Sequence, residues 1–439
     1  MNLHERRSRR GVLRAGALAA ASAIAGCTGF TDEPSDSTPG SDDEPAVPDL
    51  PQVDDPPDAV YVPTHREAMV HLPTVEIGEY ALSPMLTYPH PFWLVTGTTV
   101  EEVVPEDGRG IHLMVTVWDR KTEQVLPVDA GAEMRVRKDG DVVDQRAPWP
   151  MISQTMGFHF GDNVVLPEDG TYTVEFDLNP ITTKKTGAFA DRFDRAETAT
   201  FEFEYDDEFR RAVVDGIEYL DEELWGRRGA LEPMEHAHVD HGHDDGHHDD
   251  HHDDGHHEDG HHDDHHTDGH HEDGHHDDHH TDSHHDDHHD DHHTDSHHDD
   301  HHDDHHHDGR HRMPFSSLPP AEEYPGLAVG EPQSGDATFV VRYLESSRFA
   351  DDGYLFVSPR TPYNRVPLAD MALSVTGAVD SQLEQTLDDE LGLHYGVAAD
   401  LEPGDEFELV VESPPQVARH AGYETAFVEM PAMELEVTE

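Results

Sequence analysis

Thr171-Tyr172-Thr173-Val174-Glu175-Phe176-Asp177-Leu178 sets an apolar residue at every second position, and Ala199-Thr200-Phe201-Glu202-Phe203-Glu204-Tyr205 does the same. A period of two puts the apolar side chains on one face of a strand and the polar ones on the other. Working outward, Ile111 to Trp118 is an apolar strand candidate, Ala132 to Val136 alternates, and Lys138-Asp139-Gly140-Asp141 is a turn. The pattern returns at Thr338–Tyr343, Ala372–Val375, Phe407–Val411 and Met433–Val437. Short strands separated by turn signals predict an all-β chain with two β-sandwich domains, over 61–205 and 335–439. Between them, Phe209, Val213, Ile217, Leu220 and Leu224 fall at helical spacing, which predicts a helical spacer over 206–235.

The two β regions share a series of landmarks. Val125-Leu126-Pro127-Val128 matches Arg365-Val366-Pro367-Leu368, and Phe158-His159-Phe160-Gly161 matches Leu393-His394-Tyr395-Gly396. Leu166 to Val174 then matches Leu401 to Leu409 at near-equal spacing. The shared order points to an internal repeat.

From His236 to His311 the chain is built of paired histidines and aspartates, and 34 of its 42 histidines lie there. No packed core can form from such residues, so 236–334 is expected to be a disordered tract and linker. Imidazole and carboxylate are ligands for borderline divalent metals such as zinc, nickel and copper. His247, His248, His251, His252, His265, His266, His279 and His280 represent the repeating pairs. A flexible tract spends ordering entropy at each binding event and offers no shaped cavity, so low selectivity and loss of metal below about pH 6–7 are expected. The contrasting reading is an acidic, solvating spacer in which histidine is incidental.

The N-terminus supplies an address. Ser8-Arg9-Arg10-Gly11-Val12-Leu13-Arg14 resembles a twin-arginine export signal, and the apolar run after it ends in Ile24-Ala25-Gly26-Cys27, which resembles a lipoprotein cleavage box. Residues 1–27 are read as a signal peptide, Cys27 as the lipid anchor, and 28–60 as an acidic flexible tether on the outer face of the cytoplasmic membrane. Cys27 is the sole cysteine, which excludes an intramolecular disulfide. With 96 acids against 28 bases the formal charge is −68, a surface resembling that of proteins from salt-loving archaea. No basic patch exists to neutralise phosphates, so nucleic acid is not an expected partner. The chain lacks G-x-S-x-G, a Gly-rich phosphate loop and H-E-x-x-H, and enzymatic activity is not expected.

Within the β regions, His112 lies on an apolar strand, and Trp149-Pro150-Met151 precedes Phe158-His159-Phe160-Gly161. A thioether with imidazoles makes a soft site. These residues resemble the periplasmic iron-transport proteins that accompany iron permeases and are also seen with copper or zinc. The resemblance implies an immunoglobulin-like sandwich and a ligand set carried by Ile111-His112, Pro150-Met151, His159-Phe160-Gly161 and, in the second region, His394-Tyr395-Gly396, Pro414-Pro415 and Arg419-His420. Met114 stands where the family has Glu, and Ile181-Thr182-Thr183-Lys184 replaces the Arg-His segment in the first region. Neither region holds the full set. The expected ligands are His112, Met114, Met151 and His159, with His90 or Met156 filling gaps. His394 and His420 are either a second pair of ligands or satisfied hydrogen-bonding residues. The expected role is capture or buffering of divalent transition metal, with a membrane metal permease as a candidate partner. The rival is a structural surface lipoprotein.

Overall fold

Alternation along the chain sets the first layer. The computed structural model describes residues 50–105, 110–234, 313–351 and 353–438. Tyr172, Val174, Phe176 and Leu178 of the strand Gly170–Leu178 are buried, as are Ala199, Phe201, Phe203 and Tyr205 of Glu197–Tyr205. The pairs Tyr172↔Phe203, Val174↔Phe201 and Phe176↔Ala199 register the two apolar faces. Glu133–Lys138 and Asp141–Arg146 extend this four-stranded sheet. They are joined by Asp139 and Gly140, both at positive φ (51° and 88°), as a tight two-residue hairpin requires.

The facing sheet has nine strands. Its centre is Tyr80–Thr87, Gly110–Asp119, Gly157–Val165 and Trp149–Ser153 in that order, and every residue of the first two is buried. Strands covered on both faces read as continuous apolar runs, which Gly110–Asp119 does. Phe160 meets Phe176 of the opposite sheet edge-on. Its neighbours His159 and Gly161 therefore point out of this sandwich. The second half repeats the plan. Lys184–Thr186, Glu384–Asp388, Gly392–Ala398, Tyr354–Arg360 and Ala337–Leu344 lead a seven-stranded sheet that accompanies a four-stranded one. The all-β sandwich reading holds.

Two short strands change sides. Ala418–Arg419, from the second half, lies parallel to Trp149–Ser153 with Met151↔Ala418 and Ile152↔Arg419 in register, and joins it to Phe92–Thr96. Lys184–Thr186, from the first half, lies parallel to Glu384–Asp388. Each half thus supplies an internal or edge strand to the other, and all described residues belong to one compact unit. Arg419, fully buried, ties its strand down: its guanidinium donates to the carbonyls of Tyr423, Ala426, Pro415 and Phe427. The registers match between halves. Met151 pairs with His159 as Thr386 pairs with His394, and Gly161 pairs with Met114 as Gly396 pairs with Phe356. One sequence pairing shifts: Leu126 and Leu368 donate to the equivalent carbonyls of Val117 and Pro359, so Pro127 and Pro367 are two residues out of register.

Three boundaries differ from expectation. The helix covers Asp207–Asp215 only, capped by Asp206 accepting from the Phe209 amide, and Gly216 ends it. Beyond it Glu218–Tyr219 pairs with His65–Arg66; Ile217 packs partly against the core from outside the helix, and Leu224 is exposed. Residues 50–60, read as tether, dock on the second half: Ala59 and Val60 are buried, and the Val60 amide donates to Asp336 Oδ2 at 2.7 Å. Residues 313–334, read as linker, also pack, through Met313, Leu318, Tyr324 and the strand Leu327–Gly330. The signal peptide, Cys27, the rest of the tether and the His/Asp tract, including His247, His248, His251, His252, His265, His266, His279 and His280, lie outside the described residues.

Strand exchange makes the halves interdependent. Residues 28–234 and 313–439 produced as separate chains are expected to co-elute as one complex on size-exclusion chromatography, with each alone unfolded or aggregated through its unpaired sheet edges. Two independently folded, non-interacting fragments would contradict this.

Candidate metal centre

The outward face of the nine-stranded sheet carries the donors. His112 pairs with Asn163, Gly161 with Met114 and His159 with Met151, so His112, Met114, Met151, His159, Gly161 and Asn163 share one face. The exchanged strand delivers His420 to that face directly after Arg419, and His90 arrives on the turn after Tyr80–Thr87. Donor nitrogens of His90, His112 and His420 lie within 4.8 Å of one another. His420 Nε2 is 3.1 Å from His159 Nε2, and His420 Nδ1 is 3.2 Å from His90 Nε2. Met151 Sδ joins them: a Cβ on Gly161 would stand 2.8 Å from that sulfur and 3.1 Å from His112 Nε2. The space left by the missing side chain of Gly161 is bordered by both the thioether and the imidazole. Phe92, Met151 and Ala418 form an apolar wall beside it.

Hydrogen bonds fix the tautomers. His159 Nδ1 donates to the Gly157 carbonyl at 3.1 Å and His90 Nδ1 to the Tyr88 carbonyl at 3.1 Å. His112 Nδ1 donates to Asn163 Oδ1 at 3.0 Å, the amide being oriented by Asn163 Nδ2 donating to the His90 carbonyl. Each of the three rings therefore turns an Nε2 lone pair inward, the arrangement that orients histidine ligands. Neutral His420 has one N–H for two such lone pairs, so one of its close nitrogen contacts opposes lone pair to lone pair. His112 Nε2 is buried with no partner. An unmet polar atom in such a place carries a desolvation cost, and a cation at the centre removes it. The donor set, imidazole nitrogens with one thioether, suits a soft-to-borderline divalent or monovalent transition metal.

Protonation is disfavoured at three of the rings. Burial pushes His159 down to about 4, with nearby His90 adding repulsion against the carbonyl of Gly157 that favours charge. Burial holds His420 well below the ordinary imidazole value, with His159, His90 and His112 adding to the effect, and holds His112 well below it too. Neutral rings are the form that binds metal.

The remaining expected residues do not join the donor set. Met114 shares the outward face, paired with Met85 and Gly161, but packs with other buried apolar side chains, as does Met156. His394 does not meet His420. Its Nδ1 donates to the Gly392 carbonyl, its Nε2 is 3.3 Å from the Tyr354 hydroxyl, and Phe349 and Phe356 pack on the ring. The matched registers place Tyr354 where the first half has His112, Thr386 where it has Met151 and Thr186 where it has His420. The Arg-His segment that the first half lacks is supplied by the second half as Arg419-His420. Sequence reading named Gly161 only as part of the His159-Phe160-Gly161 motif and missed Asn163, although both follow His159 at the strand period of two. It also missed Glu67, whose Oε1 is 3.4 Å from His90 Nε2 and which no pattern announces.

Residues 131–210 match the family described as Fe2+ transport protein, and residues 322–436 match a domain of unknown function (DUF7350). No curated protein matches the chain in sequence. Among solved structures the chain is similar to a copper-bound variant of FetP from uropathogenic Escherichia coli, at 14% identity and TM-score 0.22 over 31% of this chain and 97% of that one. The as-isolated FetP of the same strain gives 14% identity and TM-score 0.22 over 31% and 95%. The segment 131–210 thus carries the pattern of an iron-transport family, and Met151, His159, Gly161 and Asn163 lie within it.

Two outcomes follow from this geometry. His159 and His394 each fall from 6.5 to about 4 in the folded protein, so between those values the unfolded chain binds more protons and stability rises with pH. Metal-free protein is expected to lose stability as pH falls from about 6.5 toward 4, on the order of 2 kcal/mol from His159 by pH 5, measured as the urea midpoint at pH 7 against pH 5. Gly161→Ala is expected to keep the fold by circular dichroism and to weaken metal binding at least ~10-fold, because the new methyl stands against the sulfur and nitrogen donors. Calorimetric titration checks it.

Proposed function

We propose that the chain is an extracytoplasmic, lipid-anchored binding protein for a divalent transition metal, acting in metal uptake or buffering. The observation that carries this reading is the convergence of His112, Met151 and His159 from one half with His420 from the other, around an imidazole nitrogen that has no partner. The Fe2+ transport pattern over 131–210 supports iron as cargo. The thioether equally suits copper, and imidazoles accept zinc or nickel. Cys27 fixes the protein to the membrane, and the His/Asp tract is a low-specificity reservoir beside the specific centre. A membrane permease receives the cargo. The two halves descend from one repeated unit, whose second copy kept the scaffold, has Tyr354 and Thr386 at two ligand positions and retained the histidine that completes the first.

The test compares residues 28–439 with and without 236–311. About one tightly held metal is expected to survive tract deletion, and His159→Ala or His420→Ala in the deleted form is expected to weaken it at least ~100-fold. Loss of all binding on deleting the tract would leave a metal-buffering or structural surface protein whose sandwich is only a scaffold.

A further inference from the structure

The inner donors are sealed: His112, His159 and Met151 have no exposed surface. A cavity of about 820 Å³ reaches the cluster at one place, and among the described residues His90 is the member of the donor set that lines it. Glu67, Asp58, Glu102 and Trp93 stand in the same wall. Its acids favour entry of cations and raise their local concentration.

Glu67 is held where it can act on what enters. On one side of it His65 Nε2 meets the Tyr88 hydroxyl at 3.1 Å, and on the other the Ala68 carbonyl accepts from Thr87 Oγ1 at 2.6 Å. These bonds fix the backbone above the turn that carries His90. His90 Nε2 then lies between two partners, 3.4 Å from Glu67 Oε1 on the cavity side and 3.2 Å from His420 Nδ1 on the inner side. Behind it the His90 ring stands 4.2 Å from that of His112, whose Nε2 is the buried nitrogen without a partner. A hydrated cation must exchange waters for protein ligands one at a time. A carboxylate oxygen and an imidazole nitrogen are ligands for divalent iron, copper and zinc alike.

We infer that Glu67 and His90 form an outer cation position at the floor of this cavity, through which divalent transition metal enters the buried set. The inference rests on the proposed reading of that set. His90 exchanges its oxygen-side neighbour for its nitrogen-side one as the ion moves inward, and Glu67 stays behind. Glu67 therefore governs how fast the centre loads and not what finally holds the metal.

Stopped-flow mixing of the full chain with Cu2+ tests this. The phase belonging to the inner centre is the one missing from His420→Ala, which leaves uptake by the tract as the common background. Glu67→Gln is expected to slow that phase about tenfold or more while the final electron paramagnetic resonance spectrum and the copper content stay as in the parent. Glu67→Asp, which keeps the charge, is expected to recover most of the rate. An unchanged rate in Glu67→Gln overturns the outer position, and a changed final spectrum overturns it by making Glu67 an inner ligand. If the parent shows no His420-dependent phase, the buried set is no metal centre and the outer position falls with it.

Discussion

The contact between His420 and His159, two imidazole nitrogens 3.1 Å apart, joins the two halves of the molecule at a point where hydrogen bonding cannot be completed. Three neighbouring rings spend their N–H groups outward on carbonyl and amide oxygens, so lone pairs face the centre and His420 cannot satisfy them all. Buried polar groups in this state are costly. They persist because the surrounding strands over-determine them: Gly157–Val165 and Gly110–Asp119 hold two rings on one face, and the buried Arg419 anchors the strand that brings the third.

The exchange of strands explains an asymmetry that is otherwise puzzling. Both halves contain a histidine before a glycine on equivalent strands, and both receive a short parallel strand from the other. In one direction the incoming segment carries Arg419 and His420. In the other it carries Lys185 and Thr186, and Thr186 Oγ1 donates to Asp388. The second half closes its own centre with Tyr354, Phe349 and the guanidinium of Arg348, which pairs with Asp388 and Asp389. There His394 Nε2 meets a hydroxyl and aromatic rings pack on the imidazole, so it has the partner that His112 Nε2 lacks.

Much of this was legible in the chain. The alternation from Tyr172 to Leu178 is a direct consequence of one buried face, and the strand boundaries followed from it. The donor residues were legible one by one, because Met151, His159, His112 and His420 are chemically conspicuous among apolar neighbours. Their grouping was not. His420 reaches His159 through a pairing only two residues long, Ala418–Arg419, and such a strand leaves no periodic signal. Residues 50–60 and 313–334 read as tether and linker because their few anchors, such as Val60 and Leu318, gain burial only from partners distant in sequence. The helix was overextended because Ile217 and Leu220 continue a spacing that Gly216 had already ended.

The central claim is that imidazoles from both halves and one thioether hold a single ion. X-ray absorption at the metal K edge, on copper-loaded protein lacking residues 236–311, reads that ligand set directly. The expected first shell is three or four imidazole nitrogens with one sulfur, with one imidazole lost in His420→Ala. A shell of oxygens without sulfur, or one unchanged by His420→Ala, would contradict it.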